Sequence, residues 1–150
     1  MAPETHAELQ GIEMDGRQID RFLRSQGFGV LSLTDGTEAY GVPVSFGYDG
    51  GSRLFFVFLR VGERSKKERF AERTEKAGFT TYEVVSKHDW RSVVASGRLR
   101  RVADDEWDDI VEAIGDNAWY PSLFSEAEPM QDIQAWEFQF EEISGQASDR

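Results

Sequence analysis

The sequence predicts a mainly β fold: an antiparallel barrel, closed or partly closed, with a few helices. Three observations carry that reading. Apolar and small residues alternate with period two in several runs between residues 27 and 102 and again near residue 136. Hairpin-length turns such as "TDGTE" and "DGGS" separate those runs. Stretches with helical character are few and short, too few to cover both faces of a layered α/β sheet.

Taken in order, residues 1–14 are polar and aperiodic and read as a flexible arm. A single domain is expected over residues 15–145, with 146–150 as a tail. Ile19, Phe22 and Leu23 follow helical spacing, and Gly27 is placed to end that helix. "GFGVLSL" reads as a strand. In "YGVPVSFGY", Tyr40, Val42, Val44, Phe46 and Tyr48 share one face, and Gly41, Pro43, Ser45 and Gly47 the other. One face is bulky and suits a core; the other is small and lets something flat approach. Pro43 has no amide hydrogen, so its N–H side should meet an edge or a gap. "RLFFVFL" is the next strand, and "ERSKKERFAERT" reads as a short helix with Phe70 as its main apolar residue. "GFTTYEVV" and "WRSVVASGRLRRV" follow as strands, with Gly97 marking a bulge or a close backbone approach. In "DDEWDDIVEAIG", Trp107, Ile110, Val111 and Ile114 give an amphipathic helix, and acidic residues crowd its first turn. "DNAWYPSLFSEAEPMQD" reads as an aromatic-rich loop. "AWEFQFEEI" reads as a strand with Trp136, Phe138 and Phe140 inward and a wet face of Glu137, Gln139 and Glu141.

Composition narrows the function classes. The formal charge is -11, which disfavours general binding to nucleic acid or anionic membranes. No apolar run approaches the ~20 residues that span a bilayer, and "MAPETHAELQ" lacks the basic and apolar segments of a signal peptide. Cysteine is absent, which removes disulfides, thiolate nucleophiles and cysteine metal sites. A cytoplasmic protein is the expectation.

The charge is uneven. Residues 60–101 carry 12 cations against 6 anions, whereas the rest carries 5 against 22. The densest cluster is "RVGERSKKERF", with Arg60, Arg64, Lys66, Lys67 and Arg69. Two readings stand side by side: a solvated helix face, or a seat for an anion such as a phosphate, with Gly62 for the turn and Ser65 as hydroxyl donor. Glu68 with Glu72 and Arg69 with Arg73 are like-charged at i,i+4, so spacing does not make this helix self-stabilising.

The order of motifs resembles the pyridoxamine 5'-phosphate oxidase-related family of FMN-binding split β-barrels. The matching order is a strand, the "DGG" turn, "FFVF", "RSKKERF" and "WRSVVASGR". The resemblance covers roughly Gly27 to Val102, with the last strand in general character. It implies a Greek-key antiparallel split barrel and a homodimer with FMN at its interface. In that family a Ser-Arg-Lys element after an aromatic strand holds the FMN phosphate. Lys66, four residues before Phe70, is the matching cation, and Arg64 and Ser65 stand before it with their types exchanged. The family's Arg-Gln-Val strand ending in Gly-Arg aligns with Arg91–Val93 and Gly97–Arg98, so Ser92 takes the place of a flavin-contacting amide. The resemblance further implies that backbone at Val42, Pro43 and Val44 approaches the ring edge, with Leu59 and Arg60 along the ribityl chain and phosphate. Trp90 is either a flavin wall or a dimer contact. Trp119, Tyr120 and Phe124 either cover the partner's ring or plug a barrel end. The family's C-terminal basic element has no counterpart, since "AWEFQFEEISGQ" is acidic there. That argues against a pyridoxine or pyridoxamine phosphate substrate.

The implied function is a flavin-dependent oxidoreductase acting on an unknown small molecule. The alternatives are a reductase using the deazaflavin F420 on the same fold, or a non-catalytic flavin carrier or sensor. His6 and His88 are the only histidines and read as surface residues, with no metal-ligand spacing around them. No nucleophile with a base, P-loop or dinucleotide fingerprint is present. No catalytic acid or base is named by the sequence, which suits chemistry carried by the cofactor itself.

Overall fold

A computed structural model describes residues 11–59, 66–106, 108, 110 and 133–148 of the chain, the side chains of 58, 59, 104 and 133 excepted. The strands are β1 (Ile12–Glu13), β2 (Phe28–Thr34), β3 (Ala39–Tyr48), β4 (Arg53–Leu59), β5 (Ala77–Ser86), β6 (Asp89–Arg101) and β7 (Ile133–Ala147). The helices are α1 (Gly16–Ser25) and α2 (Lys66–Arg73), and a 3₁₀ turn spans Asp104–Glu106.

All the strand pairings are antiparallel. Their order is β1-β7-β4-β3-β2-β5-β6, and β6 pairs back onto β7. Six strands, β2 to β7, therefore close a barrel, the architecture the alternating pattern predicts. Inside it sits a stack of aromatic rings. Phe79 meets Phe46 edge-on at 5.1 Å between centroids and lies 5.5 Å from Phe56 and 6.5 Å from Phe138. Each alternates with an outward residue on its strand, so period two in the sequence becomes inside and outside in the fold.

A helix closes each end. Asp15 caps α1 through a box in which its side chain accepts from the Gln18 amide and Gln18 accepts from the Asp15 amide. Phe22 and Leu23 of α1 are buried. Asp20 accepts a 2.7 Å hydrogen bond from the Tyr48 hydroxyl, which ties the helix to the end of β3. At the other end, Phe70 and Ala71 of α2 are buried. The Thr74 hydroxyl donates to the Thr34 carbonyl and accepts from the Thr34 amide, so α2 is fastened to the end of β2.

Several details depart from the sequence reading. Ile12–Glu13, inside the stretch read as a flexible arm, pairs with Gln146 and Ala147, so β7 also runs past residue 145. The outer face of β7 is not uniformly wet. Glu137 is buried, because its carboxylate lies between Arg53 at 2.8 Å and Arg100 at 3.1 Å. Behind that network Phe55, Val102, Ile110 and Ala135 form a second apolar cluster outside the barrel. Gly97 serves both readings offered for it. The β6–β7 register shifts at Ser96/Gly97, and a Cβ at Gly97 would collide with the Gln139 carbonyl. Of the helix expected over 104–115, only Asp108 and Ile110 are described beyond the 3₁₀ turn; the aromatic loop lies outside the described residues.

Candidate functional site

The barrel is not evenly laced. β3 pairs with β2 over Ala39–Ser45, but with β4 only at Phe46–Tyr48. Beyond that point β4 follows β7, with Val57, Phe58 and Leu59 opposite Ala135, Gln134 and Ile133. A split therefore opens between β3 and β4. The Phe46 amide donates to the Gly27 carbonyl of the β2 side at 3.1 Å. By alternation Val44, Val42 and Tyr40 also turn their backbone groups toward β2, and Gly41, Pro43 and Ser45 turn theirs toward the split. Among the described residues no strand pairs with that edge. Pro43 lies where a missing N–H breaks no ladder bond, as expected from its chemistry.

The two faces of β3 also separate as the sequence suggests. Val42 and Val44 bury their side chains in the core and turn their backbone groups to β2, so the backbone groups open to the split are those of Gly41, Pro43 and Ser45. Gly41 and Pro43 are exposed.

Lys66, the first residue of α2, lies beside the start of β3. Its ammonium is 4.7 Å from the Tyr40 ring centroid and 5.3 Å from that of Phe70. Those two rings meet edge to face at 5.2 Å. Each presents π density to the cation. On its flank the ammonium donates to Glu38 Oε2 at 2.8 Å, and the Lys66 side chain remains 43% exposed. Lys66 is thus a half-open, pre-positioned cation. Glu68, in the first turn of α2, is fully buried and engaged, so this helix is not simply a solvated face. Gln134 is buried, its Oε1 accepting from the Trp136 indole at 3.2 Å and its amide nitrogen without a hydrogen-bond partner among the described residues.

Other cations of the basic segment are engaged elsewhere. Arg98 pairs with Glu141, and Arg100 pairs with Glu137 and bidentately with Glu106. Glu106 holds its carboxyl down to about 2, first through its hydrogen bonds from Arg100.

Of the residues singled out in the sequence, Val42, Pro43 and Val44 lie on the part of β3 that β4 does not pair, Lys66 lies beside Tyr40 at the start of the same strand, and Leu59 ends β4. Arg60, Arg64 and Ser65 lie outside the described residues. Trp90 and Ser92 lie elsewhere. Ser92 is level with Tyr82 on β5, and Thr80 is level with Val30 on β2. Lys66 reaches Tyr40, which is level with Leu33. The offset along β2 is about five residues, roughly 17 Å at ~3.3 Å per residue. Within one chain Ser92 and Lys66 do not share a site. Trp90 packs against Gly11, and its amide and carbonyl bond Ser148. Ser92 instead shares the outer face of β2, β5 and β6 with exposed Phe28, Tyr82, Val84 and Val94. Sequence reasoning missed Glu38, Tyr40 and Phe70 as the seat of Lys66; only the i,i+4 spacing of Lys66 and Phe70 hinted at it.

A six-stranded antiparallel barrel, split along one strand and closed by two short helices, defines the class. The chain belongs to the pyridoxamine 5'-phosphate oxidase family, which it matches over residues 15–147. No curated protein matches it by sequence. Among solved structures, it is similar to an FAD-binding protein from Mesorhizobium loti, with a TM-score of 0.73 at 16% identity, covering 94% of this chain and 100% of that one. It is also similar to the FAD and heme binding protein from Mycobacterium smegmatis, with a TM-score of 0.70 at 18% identity, covering 91% of this chain and 72% of that one. The FAD binding protein from the same organism aligns with a TM-score of 0.65 at 12% identity, covering 91% of this chain and 98% of that one. At these identities the likeness is one of fold.

Proposed function

We propose that this protein binds a flavin, FMN in the first instance, and works as a homodimeric, cytoplasmic oxidoreductase on a small molecule. The observation that carries the reading is the Lys66 ammonium, held over two aromatic rings at the mouth of a split whose β3 edge has no strand partner among the described residues. A flavin nucleotide joins an anionic phosphate to a flat ring with hydrogen-bonding edges. The donor set fits both parts. Family membership and the fold shared with proteins described as FAD-binding support the same class of ligand.

In this reading Lys66, with Arg64 and Ser65, binds the phosphate. Of the Val42–Pro43–Val44 run, the Pro43 carbonyl faces the split and, with the backbone groups of Gly41 and Ser45, orients the ring edge. Val42 and Val44 anchor that run to β2 and the core, and Leu59 and Arg60 lie between. Gly41 and Pro43 keep that approach free of bulky side chains. Trp90 and Ser92 act from a second copy of the chain, because they are too far from Lys66 in their own. The outer apolar face of Phe28, Tyr82, Val84 and Val94 supports such a contact, since burying it would remove large hydrophobic side chains from water. A bound flavin would supply the electron-transfer chemistry; the chain supplies position, charge and exclusion of water.

The test is a fluorescence titration of purified protein with FMN, FAD, riboflavin and F420, alongside sedimentation of the loaded protein. Lys66→Ala should weaken FMN binding by about 1–3 kcal/mol, the range for hydrogen bonds to charged groups. Unchanged FMN affinity in that variant refutes the phosphate assignment, and a monomer that binds flavin refutes the shared site.

A further inference from the structure

We propose that Glu38 is a built-in counter-ion of the Lys66 ammonium, one that determines how much negative charge the site accepts. The inference rests on the reading of Lys66 as the phosphate ligand. It begins from a contact that the fold constructs between residues far apart in the chain. Glu38 Oε2 accepts from Lys66 Nζ at 2.8 Å. Both side chains are accessible, at 55% and 43%, so an incoming anion can reach the ammonium they share.

The turn that carries Glu38 is rigidly organised. Asp35 Oδ1 accepts from the Thr37 amide at 3.0 Å, the Thr37 hydroxyl at 3.0 Å and the Glu38 amide at 2.8 Å. Gly36, with φ +102, makes the reversal possible, and its amide donates to the Thr34 hydroxyl. Thr34 is in turn bonded through its backbone to Thr74, just beyond the end of α2. The turn bearing the carboxylate and the helix bearing the ammonium are thus tied to the same residue. Tyr40 and Phe70 fix the cation from beneath. The pair is a consequence of the fold rather than a chance meeting of two long side chains.

A phosphate monoester carries close to two negative charges at neutral pH. At Lys66 it meets a carboxylate already hydrogen-bonded to the same nitrogen. An ammonium has three donors, so both anions fit geometrically, but like charges at that separation repel. The phosphate therefore binds either against Glu38 or after displacing it. In both cases Glu38 lowers affinity for a dianionic ligand and leaves a ligand without phosphate untouched. It is a specificity-determining residue that acts through Lys66.

The experiment measures equilibrium dissociation constants of FMN and riboflavin by flavin fluorescence, at low and at high ionic strength. The proteins are wild type, Glu38→Gln, Lys66→Ala and the double variant. Glu38→Gln should tighten FMN about two- to fivefold at low ionic strength, the scale of an exposed ion pair. The gain should shrink in high salt and vanish for riboflavin and in the Lys66→Ala background. If wild type prefers FMN over riboflavin but Glu38→Gln leaves FMN affinity unchanged or weaker, the counter-ion role is overturned while the Lys66 assignment stands. An equal gain for riboflavin, or one that survives Lys66→Ala, overturns it too. If wild type binds FMN no better than riboflavin, the phosphate reading of Lys66 falls and this inference falls with it.

Discussion

Replacing Gly97 with alanine should loosen the longest seam of the barrel. Gly97 sits where β6 shifts register against β7, with Ser96 opposite Glu142 and Gly97 opposite Phe140. An added Cβ would collide with the Gln139 carbonyl oxygen, stand 2.8 Å from its carbon and lie 3.2 Å from the Phe140 Cα. All three are backbone atoms of a paired strand, so relief requires β7 itself to move. Overpacking that shifts backbone costs about 1–3 kcal/mol. The lower entropy of alanine in the unfolded chain returns about 0.4–1 kcal/mol. A net loss of about 1–2 kcal/mol remains, a large share of an ordinary domain's stability of about 5–15 kcal/mol. Urea denaturation followed by tryptophan fluorescence measures it. Gly41→Ala is the control, because among the described residues a Cβ there meets only Val30 Cγ1 at 3.5 Å, an ordinary contact. That variant should be neutral or more stable by up to about 1 kcal/mol. If the two variants unfold within about 0.5 kcal/mol of each other, below the spread expected of contrasting mechanisms, the close-approach argument is wrong.

Two further predictions concern pH. The Tyr48 hydroxyl is raised well above its usual 10.0, first by burial and then by its hydrogen bond to Asp20. A raised folded value means the contribution is complete below about 10 and is lost as pH rises above it. Tyr48→Phe should therefore cost about 0.5–1.5 kcal/mol at neutral pH and lack the wild type's alkaline loss, as read by denaturation at several pH values. Asp35 is lowered from 3.8 to about 2, chiefly by the amides of Glu38 and Thr37 that it accepts from. Its contribution is present above 3.8 and fades as pH falls toward 2. The stability difference between wild type and Asp35→Asn should narrow across that window, and a difference that stays constant would contradict the turn's hydrogen bonding.

The barrel strands were legible because alternation is a local property. Tyr40, Val42, Val44, Phe46 and Tyr48 declare an inner face without reference to any other strand. Pro43 even marked the split, since a missing amide hydrogen restricts where a strand can be paired. What needed the structure was anything set by pairing across long separations. A strand as short as Ile12–Glu13 has no period to read, so its place on β7 was invisible. Glu137 looked wet by alternation and is buried, because Arg53 and Arg100 reach it from strands on either side. The seat of Lys66 was half readable: Phe70 stands four residues on in the same helix, whereas Glu38 and Tyr40 belong to a distant turn and strand. The capping box of Asp15 and Gln18 was in plain view as an acidic residue followed three later by glutamine.

β7 touches β1, β4 and β6, and it follows all of them in the chain. During synthesis, then, β4 and β6 present two long raw edges until the ribosome has passed residue 148. Until that strand arrives those two edges lack the partner they have in the folded barrel, and unpaired strand edges are where edge-to-edge aggregation starts. Expression yield should therefore depend less on the finished domain's stability than on how quickly its closing strand is delivered.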